Sequence, residues 1–347
     1  MYDTTLDKSC SLTGIKYAAV ALGNFDGPHL GHMRLISTLI NSASRLGLPA
    51  VAYTFDEHPI NVLAGPGRVK MLADTDKKVD ILTRAGVNGV LTDRFTHEFA
   101  ATTPYDFARH ILAGRLGVRL VVVGENYRFG CRGEGDVRAL HEFGRKFGFA
   151  VEVVKTCSTD MVMTCSADMV MTCSTDKAMC HPAGNVMACS YVPNTTISSS
   201  LIRSLLASGQ TEESGRLLGR LYSLRGAASG VVMRAGDFAD SDKFKVAAMR
   251  ADPRMATPGV GVYDTRVKVG GSFYRAYSAV FLDTMVSRDT AISEHIAAPH
   301  KTAVSSENVG QQIVNYISDY HSDLHGDEIE VFFNKRVRPA GLIHKGV

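Results

Sequence analysis

The chain has 347 residues, 45% of them hydrophobic, and its 38 basic and 35 acidic side chains give a formal net charge of +3. This composition excludes a disordered protein, and the even spread of charge argues against a nucleic-acid or membrane-surface binder. The N-terminus lacks the basic patch and apolar core of a leader, and no apolar run is long enough to span a membrane. We therefore expect a soluble, cytoplasmic protein of two or three domains.

The N-terminal half alternates between apolar runs typical of strands and amphipathic segments typical of helices. The predicted strands span residues 16–22, 50–55, 86–92, 120–124 and 150–156. Helices are predicted to begin near His32, after the N-caps Asp74 and Thr103, and at Leu140, and the one after Thr103 to run through Leu116. Such alternation is typical of a parallel sheet covered by helices on both faces.

The seven cysteines raise the question of a disulfide framework or a metal site. Cys157, Cys165 and Cys173 recur within the repeat TCSTDMVM, TCSADMVM, TCSTDKAM, so duplication explains their number. Zinc sites favour cysteines about two to four residues apart, and the sequence contains no CxxC pair. We therefore expect reduced cysteines in a surface-loop insertion near residues 156–190.

The character of the sequence changes after about residue 200. Residues 200–219 predict two short helices separated at Gly209, and the segments beyond Tyr222 alternate at strand period between glycine turns. This pattern is typical of an antiparallel barrel or sandwich. The fold class is therefore α/β, with a doubly wound parallel-sheet domain followed by a smaller antiparallel β-barrel, and a boundary between 205 and 225.

The stretch LGNFDGPHLGH follows the first predicted strand, at the edge where parallel sheets bind their ligands. Its glycines, Gly23, Gly27 and Gly31, would let the backbone approach a phosphate, and the following helix N-terminus would direct N–H groups at it. His29 and His32 would add donors. The stretch is not a P-loop, because no GxxxxGK[ST] is present; a zinc pair and a purely structural turn are the alternatives.

Five short motifs occur in order along the chain. They are GNFDGPHLGH at 23–32, TFDEHP at 54–59, VVVGENYRFG at 121–130, GDV at 135–137 and ISSSLIR at 197–203, followed by LLGRLYSLRG. This set resembles the nucleotidylyltransferase signature of the bacterial bifunctional riboflavin kinase/FAD synthetases. The resemblance implies an FMN adenylyltransferase domain over 1–205, a helical linker over 206–222 and a riboflavin kinase-like β-barrel over 223–347.

The resemblance also implies a reaction, the transfer of AMP from ATP to FMN, which yields FAD and pyrophosphate. Such a transfer depends on positioning and charge neutralisation, for which Mg²⁺ would bridge phosphate oxygens. The implied catalytic residues are His29, His32 and Arg203. The implied ATP- and phosphate-binding residues are Gly23, Phe25, Gly27, Gly31, Asn126, Ser198 and Ser199. The implied flavin-binding residues are His58, Pro59, Arg128 and Phe129. No side chain is expected to ligate a metal, and the partners are small molecules only.

Structural roles compete with several of these assignments. Packing is the favoured role of the Phe25 side chain, and an Asx bond that fixes the turn is the favoured role of Asp26. A satisfied surface histidine is the alternative for His58, and an ion pair with Glu125 is the alternative for Arg128. The serines at 198–200 have a helix cap as their alternative, but the arginine three residues beyond them favours phosphate binding.

The C-terminal region differs from the riboflavin kinase pattern at the positions of the ligand-binding and catalytic residues. The family's GFPTAN aligns with KFKVAA, so Val246 and Ala248 replace the threonine and asparagine that help to hold Mg²⁺ and ATP. Counting back from DLHG places the family's catalytic glutamate on Val314, which cannot accept a proton. We therefore expect riboflavin kinase activity to be absent or severely weakened, unless Glu307 or Glu294 replaces that glutamate.

The leading functional hypothesis is therefore FAD synthesis from FMN and ATP, with a degenerate kinase-like barrel. A fully bifunctional riboflavin kinase/FMN adenylyltransferase is one alternative. A flavin-binding protein that has lost catalysis is the other. The sequence does not predict the oligomeric state.

Overall fold

The computed structural model describes residues 4–5, 17–159, 195–230, 244–282, 311–318, 320, 324 and 326–337. The chain divides into two compact units, Met1–Ser199 and Ser200–Val347. Most of the repeat insertion, from 160 to 190, lies outside the described residues, as do Glu294 and Glu307. Within the described ranges, no helix combines the length and apolar character needed to cross a membrane.

A six-stranded sheet forms the centre of the first unit. Its strands are β1 (Thr4–Thr5), β2 (Ala18–Leu22), β3 (Ala50–Phe55), β4 (Gly89–Asp93), β5 (Val118–Gly124) and β6 (Ala150–Val154). They lie in the order β1-β4-β3-β2-β5-β6, and all pair in parallel except the short edge strand β1 against β4. The predicted doubly wound parallel sheet is confirmed.

Helices connect the strands of this sheet. They are α1 (Leu30–Leu46), α2 (Pro59–Leu63), α3 (Thr75–Arg84), α4 (His97–Ala100), α5 (Pro104–Asp106) and α6 (Val137–Phe147). Asp74 caps α3 and Thr103 caps α5, as predicted. The single helix predicted from Thr103 to Leu116 is instead a short α5 followed by a π-helix, Phe107–Arg115. Arg115 at its end reaches the buried Asp93 carboxylate at 2.5 Å, a long-range contact that local periodicity does not reveal.

The central strands are buried on both faces, which explains why they read as unbroken apolar runs. Alternate side chains pack into two separate clusters. One contains Val20, Val51, Val121, Ile111 and Leu112 among others. The other contains Ala21, Ala52, Val122, Leu39 and Leu82 among others. The sheet is therefore a rigid platform for the loops at its edges.

The strand order creates a crevice at one edge of the sheet. β2 lies between β3 and β5, and the chain passes from one side of β2 to the other after β4. Ligands of open α/β sheets bind beyond the carboxyl ends of the strands at such a topological switch point. The loops that follow β2 and β5 carry the motifs GNFDGPHLGH and GENYRFG, so both flank this crevice.

The second unit is built on a closed antiparallel barrel. Its strands are β7 (Tyr222–Gly230), β8 (Phe244–Arg250), β9 (Gly261–Val269), β10 (Ser272–Leu282), β11 (Gln311–Ser318) and β12 (Glu328–Val337), in the order β10-β11-β8-β7-β12-β9. Two helices precede it, α7 (Ser199–Ala207) and α8 (Thr211–Leu218), with the break at Gly209 as predicted. Of the two predicted alternatives, the barrel is confirmed.

Candidate active site

The turn after β2 ends in a pair of stacked imidazoles. His29 is the N-cap of α1, so this helix begins at Leu30 rather than near His32. The Nδ1 atom of each histidine accepts a hydrogen bond from the backbone N–H of the other, at 3.4 and 3.5 Å. The two rings stack with centroids 3.8 Å apart and planes 20° apart. Both imidazoles are therefore fixed at the N-terminus of α1, where the helix dipole favours an anion.

Close packing explains the glycines of this turn. Gly27 has a φ of +54°, and a Cβ there would lie 2.4 Å from the Cβ of Leu72. A Cβ on Gly31 would lie 3.2 Å from the His29 ring, and one on Gly23 would lie 3.0 Å from the Phe25 ring. A larger residue would therefore displace the backbone that carries the imidazoles.

Phe25 and Asp26 hold the turn in place. Phe25 has a φ of +44°, an unusual conformation for a bulky residue, and its fully buried ring meets the His32 ring edge-on at 5.3 Å. The Asp26 carboxylate accepts a hydrogen bond from the Leu72 N–H at 2.8 Å. Asp26 thus ties the turn to a distant segment, whereas the sequence predicted a local Asx bond.

The ISSSLIR motif contacts this same turn. The Ser199 hydroxyl donates a hydrogen bond to the Asp26 carbonyl oxygen at 2.8 Å, across a separation of 173 residues. Ser198, directly before it, is half-buried. Arg203 is half-buried on α7 in the second unit. The structure therefore brings Ser199 to the histidine turn, and the meeting of Arg203 with the histidines stays a prediction.

The turn after β3 carries the predicted flavin residues His58 and Pro59. His58 is the N-cap of α2, and its Nδ1 atom accepts a hydrogen bond from the Ile60 N–H at 3.3 Å. Pro59 is the first residue of the helix. The Glu57 carboxylate accepts from the Asn61 amide at 3.0 Å, which further fixes this turn. His58 is thus held at the sheet edge by a capping role.

A cavity of about 270 Å³ lies beside the loop after β5. Its lining residues are Glu125, Asn126, Tyr127, Arg128, Asp136, Val137 and Arg138. The Arg128 guanidinium lies 3.9 Å from the Asp136 carboxylate. Asp136, and not Glu125, is therefore the acidic partner that competes with a ligand for Arg128. The Glu125 carboxylate instead accepts hydrogen bonds from the backbone and hydroxyl of Thr156, which lower its pKa. The amide of Asn126 and the guanidinium of Arg128 line this cavity with donors.

Aromatic side chains support these loops from below. Phe129 is buried and lies parallel to Tyr127, with ring centroids 5.8 Å apart. Burial raises the pKa of Tyr127 above its ordinary value, so its hydroxyl stays protonated. Phe129 also packs against Phe107 of the π-helix, with ring centroids 5.7 Å apart. The side chain of Phe129 is therefore part of the core beneath the site.

Two buried charged groups near the site were not predicted. The Asp93 carboxylate accepts hydrogen bonds from Tyr53 and Arg115, both at 2.5 Å. Lys78 on α3 is 4% exposed and donates to the Phe55 carbonyl oxygen at 2.8 Å. The sequence could have indicated that Lys78 is buried, because Leu82 lies four residues further along α3 and therefore on the same, buried face. Asp93 had no such signal, because its partners are distant in sequence.

The barrel positions that align with the kinase residues lie in a buried, mainly apolar cluster. Val314 pairs directly with Ala248 across β11 and β8, and the two are 3% and 0% exposed. Both belong to a cluster with Val262, Ala279, Phe281 and Tyr316, and Val246 packs against it. In the part of the chain that the structure describes, no group of three or more His, Cys, Asp or Glu is placed to hold a metal ion.

The chain is similar to several proteins of known description. The FAD synthetase family model matches residues 14–168. A bifunctional riboflavin kinase/FMN adenylyltransferase of Listeria monocytogenes is 27% identical over 322 residues, covering 92% of this chain and 84% of its own length. The Escherichia coli K12 protein of the same description is 33% identical over 137 residues, covering 40% of this chain and 44% of its own.

A solved structure supports the fold of both units. The structure described as a macrolide-efflux protein from Streptococcus pneumoniae has a TM-score of 0.66 and 23% identity, and covers 93% of this chain and 86% of its own. At this identity the likeness shows the fold alone. Residues 14–168 therefore match the FAD synthetase family model, and the chain as a whole is similar to bacterial proteins described as bifunctional riboflavin kinase/FMN adenylyltransferases.

Proposed function

We propose that the first unit transfers AMP from ATP to FMN at the switch point. An oxygen of the FMN phosphate attacks the α-phosphorus of ATP. The bond from this phosphorus to the oxygen that bridges to the β-phosphate breaks, and pyrophosphate leaves. Negative charge develops on the departing oxygen, so fixed donors at that position lower the barrier. The relatives described as FMN adenylyltransferases support this choice of reaction.

In this proposal the histidine turn holds the triphosphate. His29 and His32 donate hydrogen bonds to the departing pyrophosphate, and the N–H groups of α1 add to the favourable field. Arg203 holds the β- and γ-phosphates by charge-assisted hydrogen bonds. Gly23 and Gly31 let the Phe25 and His29 rings pack against the backbone, which keeps the turn in position for the phosphates. The stacked, reciprocally bonded imidazoles support these roles, since their positions are fixed before substrate binds.

The other loops hold the phosphate acceptor. Asn126 and Arg128 line a cavity with the donors that a phosphate requires. His58 and Pro59 contact the flavin from the β3 side, and Phe129 supports this region from the core. Ser198 and Ser199 complete the phosphate site from the last motif. Ser199 already donates to the Asp26 carbonyl oxygen, so a phosphate contact requires its hydroxyl to turn.

Mg²⁺ enters this proposal as an ion held by the oxygens of ATP, where it neutralises charge on the triphosphate. Imidazole, amide and guanidinium groups bind phosphate rather than a hard cation, so the oxygens of the nucleotide would hold the ion. Asp26, the acidic side chain in the histidine turn, is engaged with the Leu72 N–H. The chain's own residues therefore bind and orient the nucleotide.

The observation that carries the proposal is the hydrogen bond between Ser199 and the Asp26 carbonyl oxygen. It joins the first and the last of the five motifs at one turn. The test is to incubate the purified chain with ATP, Mg²⁺ and FMN, and to measure FAD and pyrophosphate in equal amounts. FMN binding without either product would contradict the proposal and favour a flavin-binding protein.

We further propose that the second unit has lost riboflavin kinase activity. The reason is that the side chains of Val246, Ala248 and Val314, which pack in one cluster, carry no oxygen or nitrogen ligand for ATP or Mg²⁺ and no base for a hydroxyl. The same assay with riboflavin in place of FMN should yield neither FMN nor FAD. Formation of FMN at a rate similar to FAD synthesis would show instead that the chain is bifunctional, as its relatives are described.

A further inference from the structure

A buried cation lies beneath the two turns that carry the site histidines. Lys78, in the first turns of α3, is 4% exposed, and its ammonium donates to the carbonyl oxygen of Phe55 at 2.8 Å. Phe55 is the last residue of β3, directly before the turn that leads to His58. The other buried residues of α3 are Val79, Leu82 and Lys77, which is 8% exposed. An apolar side chain would therefore suit this position better if packing were its only role.

The charges around Lys78 come from both turns. Burial lowers the pKa of Lys78 below its ordinary value, and the negative charges of Asp26, Asp56, Glu57 and Asp74 oppose this shift. Asp26 lies in the turn between β2 and α1, three residues before His29. Asp56 and Glu57 lie in the turn between β3 and α2. A direct contact joins the two loops at the same place: the hydroxyl of Thr54, directly before Phe55, donates to the Asn24 carbonyl oxygen at 3.0 Å. The end of β3 that Lys78 holds is therefore bonded to the histidine turn.

The carboxylates are themselves anchored. Asp26 accepts from the Leu72 N–H, and Asp56 accepts from the Phe95 N–H at 3.1 Å. The Asp56 carbonyl oxygen accepts from the Thr75 hydroxyl at 3.1 Å. Each loop therefore has its own attachment to the scaffold, and Lys78 adds a hydrogen bond at the strand end between them.

We propose that Lys78 is a positioning residue that sets the histidine turn at a fixed distance from the flavin turn. It touches neither substrate; it holds the Phe55 carbonyl oxygen at the start of the flavin turn, and the neighbouring Thr54 hydroxyl bonds this strand end to the Asn24 carbonyl oxygen of the histidine turn. This inference rests on the proposed function, because alignment of ATP with FMN is what the fixed distance serves. Displacement of reacting groups by about 1 Å is enough to reduce a rate about 100-fold.

The first experiment compares Lys78→Met with Arg84→Met. Arg84 is a cation on the same helix, but it is exposed and pairs with Asp80, so its removal should leave activity unchanged. We expect Lys78→Met to lower kcat/KM for FMN about 100-fold while circular dichroism shows a folded chain. Lys78→Gln, which keeps a donor without the charge, carries the test if Lys78→Met does not fold. Lys78→Arg should restore part of the activity.

The second experiment is a double-mutant cycle, which separates positioning from stability. The effects of Lys78→Met and His58→Ala on kcat/KM should be less than additive, because both disturb the same turn, whereas Arg84→Met and His58→Ala should add. Additive effects in both cycles, or activity within about twofold of the parent in folded Lys78→Met, would overturn the proposal. If the parent itself makes no FAD, the proposed function fails, and the same cycles measured on FMN affinity by calorimetry decide the role of Lys78.

Discussion

At the scale of single residues, the account depends on how His29 and His32 are held. Each ring uses its Nδ1 atom to accept a backbone N–H, so in the neutral ring the proton is on Nε2, which can donate to a ligand. The same bonds form a capping box at the start of α1. His29 therefore has a structural role and a proposed catalytic role, and a useful variant must separate them.

The variant His29→Asn makes this separation. Asparagine is a good N-cap, so the free energy of unfolding should fall by less than about 1 kcal/mol. The asparagine side chain is shorter than the imidazole, so its amide does not reach the position of Nε2, and kcat should fall about 100-fold or more. The control is His110→Asn, at an exposed histidine near Asp106, which should keep the parental rate. Parental FAD synthesis by His29→Asn would remove His29 from the catalytic set.

The second residue-scale prediction concerns the buried carboxylate of Asp93. Burial and the adjacent Asp93 charge raise the pKa of Tyr53 above its ordinary value, so Tyr53 donates to Asp93 as a neutral hydroxyl. Arg115 supplies the positive charge, although its side chain is 29% exposed. Arg115→Met should therefore lower the free energy of unfolding by about 2 kcal/mol, discounted for this exposure. Urea denaturation measures it, with Asp80→Asn, in an exposed pair, as the control; equal effects would contradict the prediction.

At the scale of elements, the sequence predicted the strands and helices of the first unit well where the cause is local. Asp74 and Thr103 are good caps, and the apolar runs are long enough to specify buried strands. The start of α1 was misplaced because histidine is not a usual N-cap. The π-helix was missed because i→i+5 bonding is rare and the apolar pattern of residues 107–115 does not distinguish it from an α-helix.

The glycines of the histidine turn give an element-scale prediction. Gly27 and Gly47 both have positive φ, +54° and +63°, but a Cβ on Gly27 would meet Leu72 while one on Gly47 would meet nothing within 4 Å. Gly47→Ala should cost about 1 kcal/mol from backbone strain alone and leave activity unchanged. Gly27→Ala should cost more and also lower kcat/KM, because the turn must move. Thermal unfolding and the FMN assay check both variants, and equal behaviour would contradict the argument.

At the scale of the whole molecule, the motifs predicted two units and the general type of each, but not how the barrel is assembled. Its order β10-β11-β8-β7-β12-β9 pairs strands that are distant in sequence. The positions aligned with the kinase residues were found by counting, and only the structure places Val246, Ala248 and Val314 in one apolar cluster. The predicted roles of Arg203 and Ser198 are not decided by the fold.

This cluster predicts the result of a simple restoration. Val314→Glu places a carboxylate among buried apolar side chains, so it should lower the free energy of unfolding by about 2 kcal/mol or more and restore no kinase activity. Val260→Glu is the matched control, because Val260 is 39% exposed. A stable Val314→Glu variant that phosphorylates riboflavin would show that the barrel keeps the rest of a kinase site.

The most direct test of the central claim follows the phosphorus atoms of ATP. The purified chain is given Mg²⁺ and ATP labelled at either the α- or the γ-phosphorus, with FMN or riboflavin as the flavin, and the products are separated by chromatography. With FMN, the α-label should appear in FAD and the γ-label in pyrophosphate; with riboflavin, neither label should enter a flavin. Absence of the α-label from FAD, or entry of the γ-label into FMN, would contradict the account.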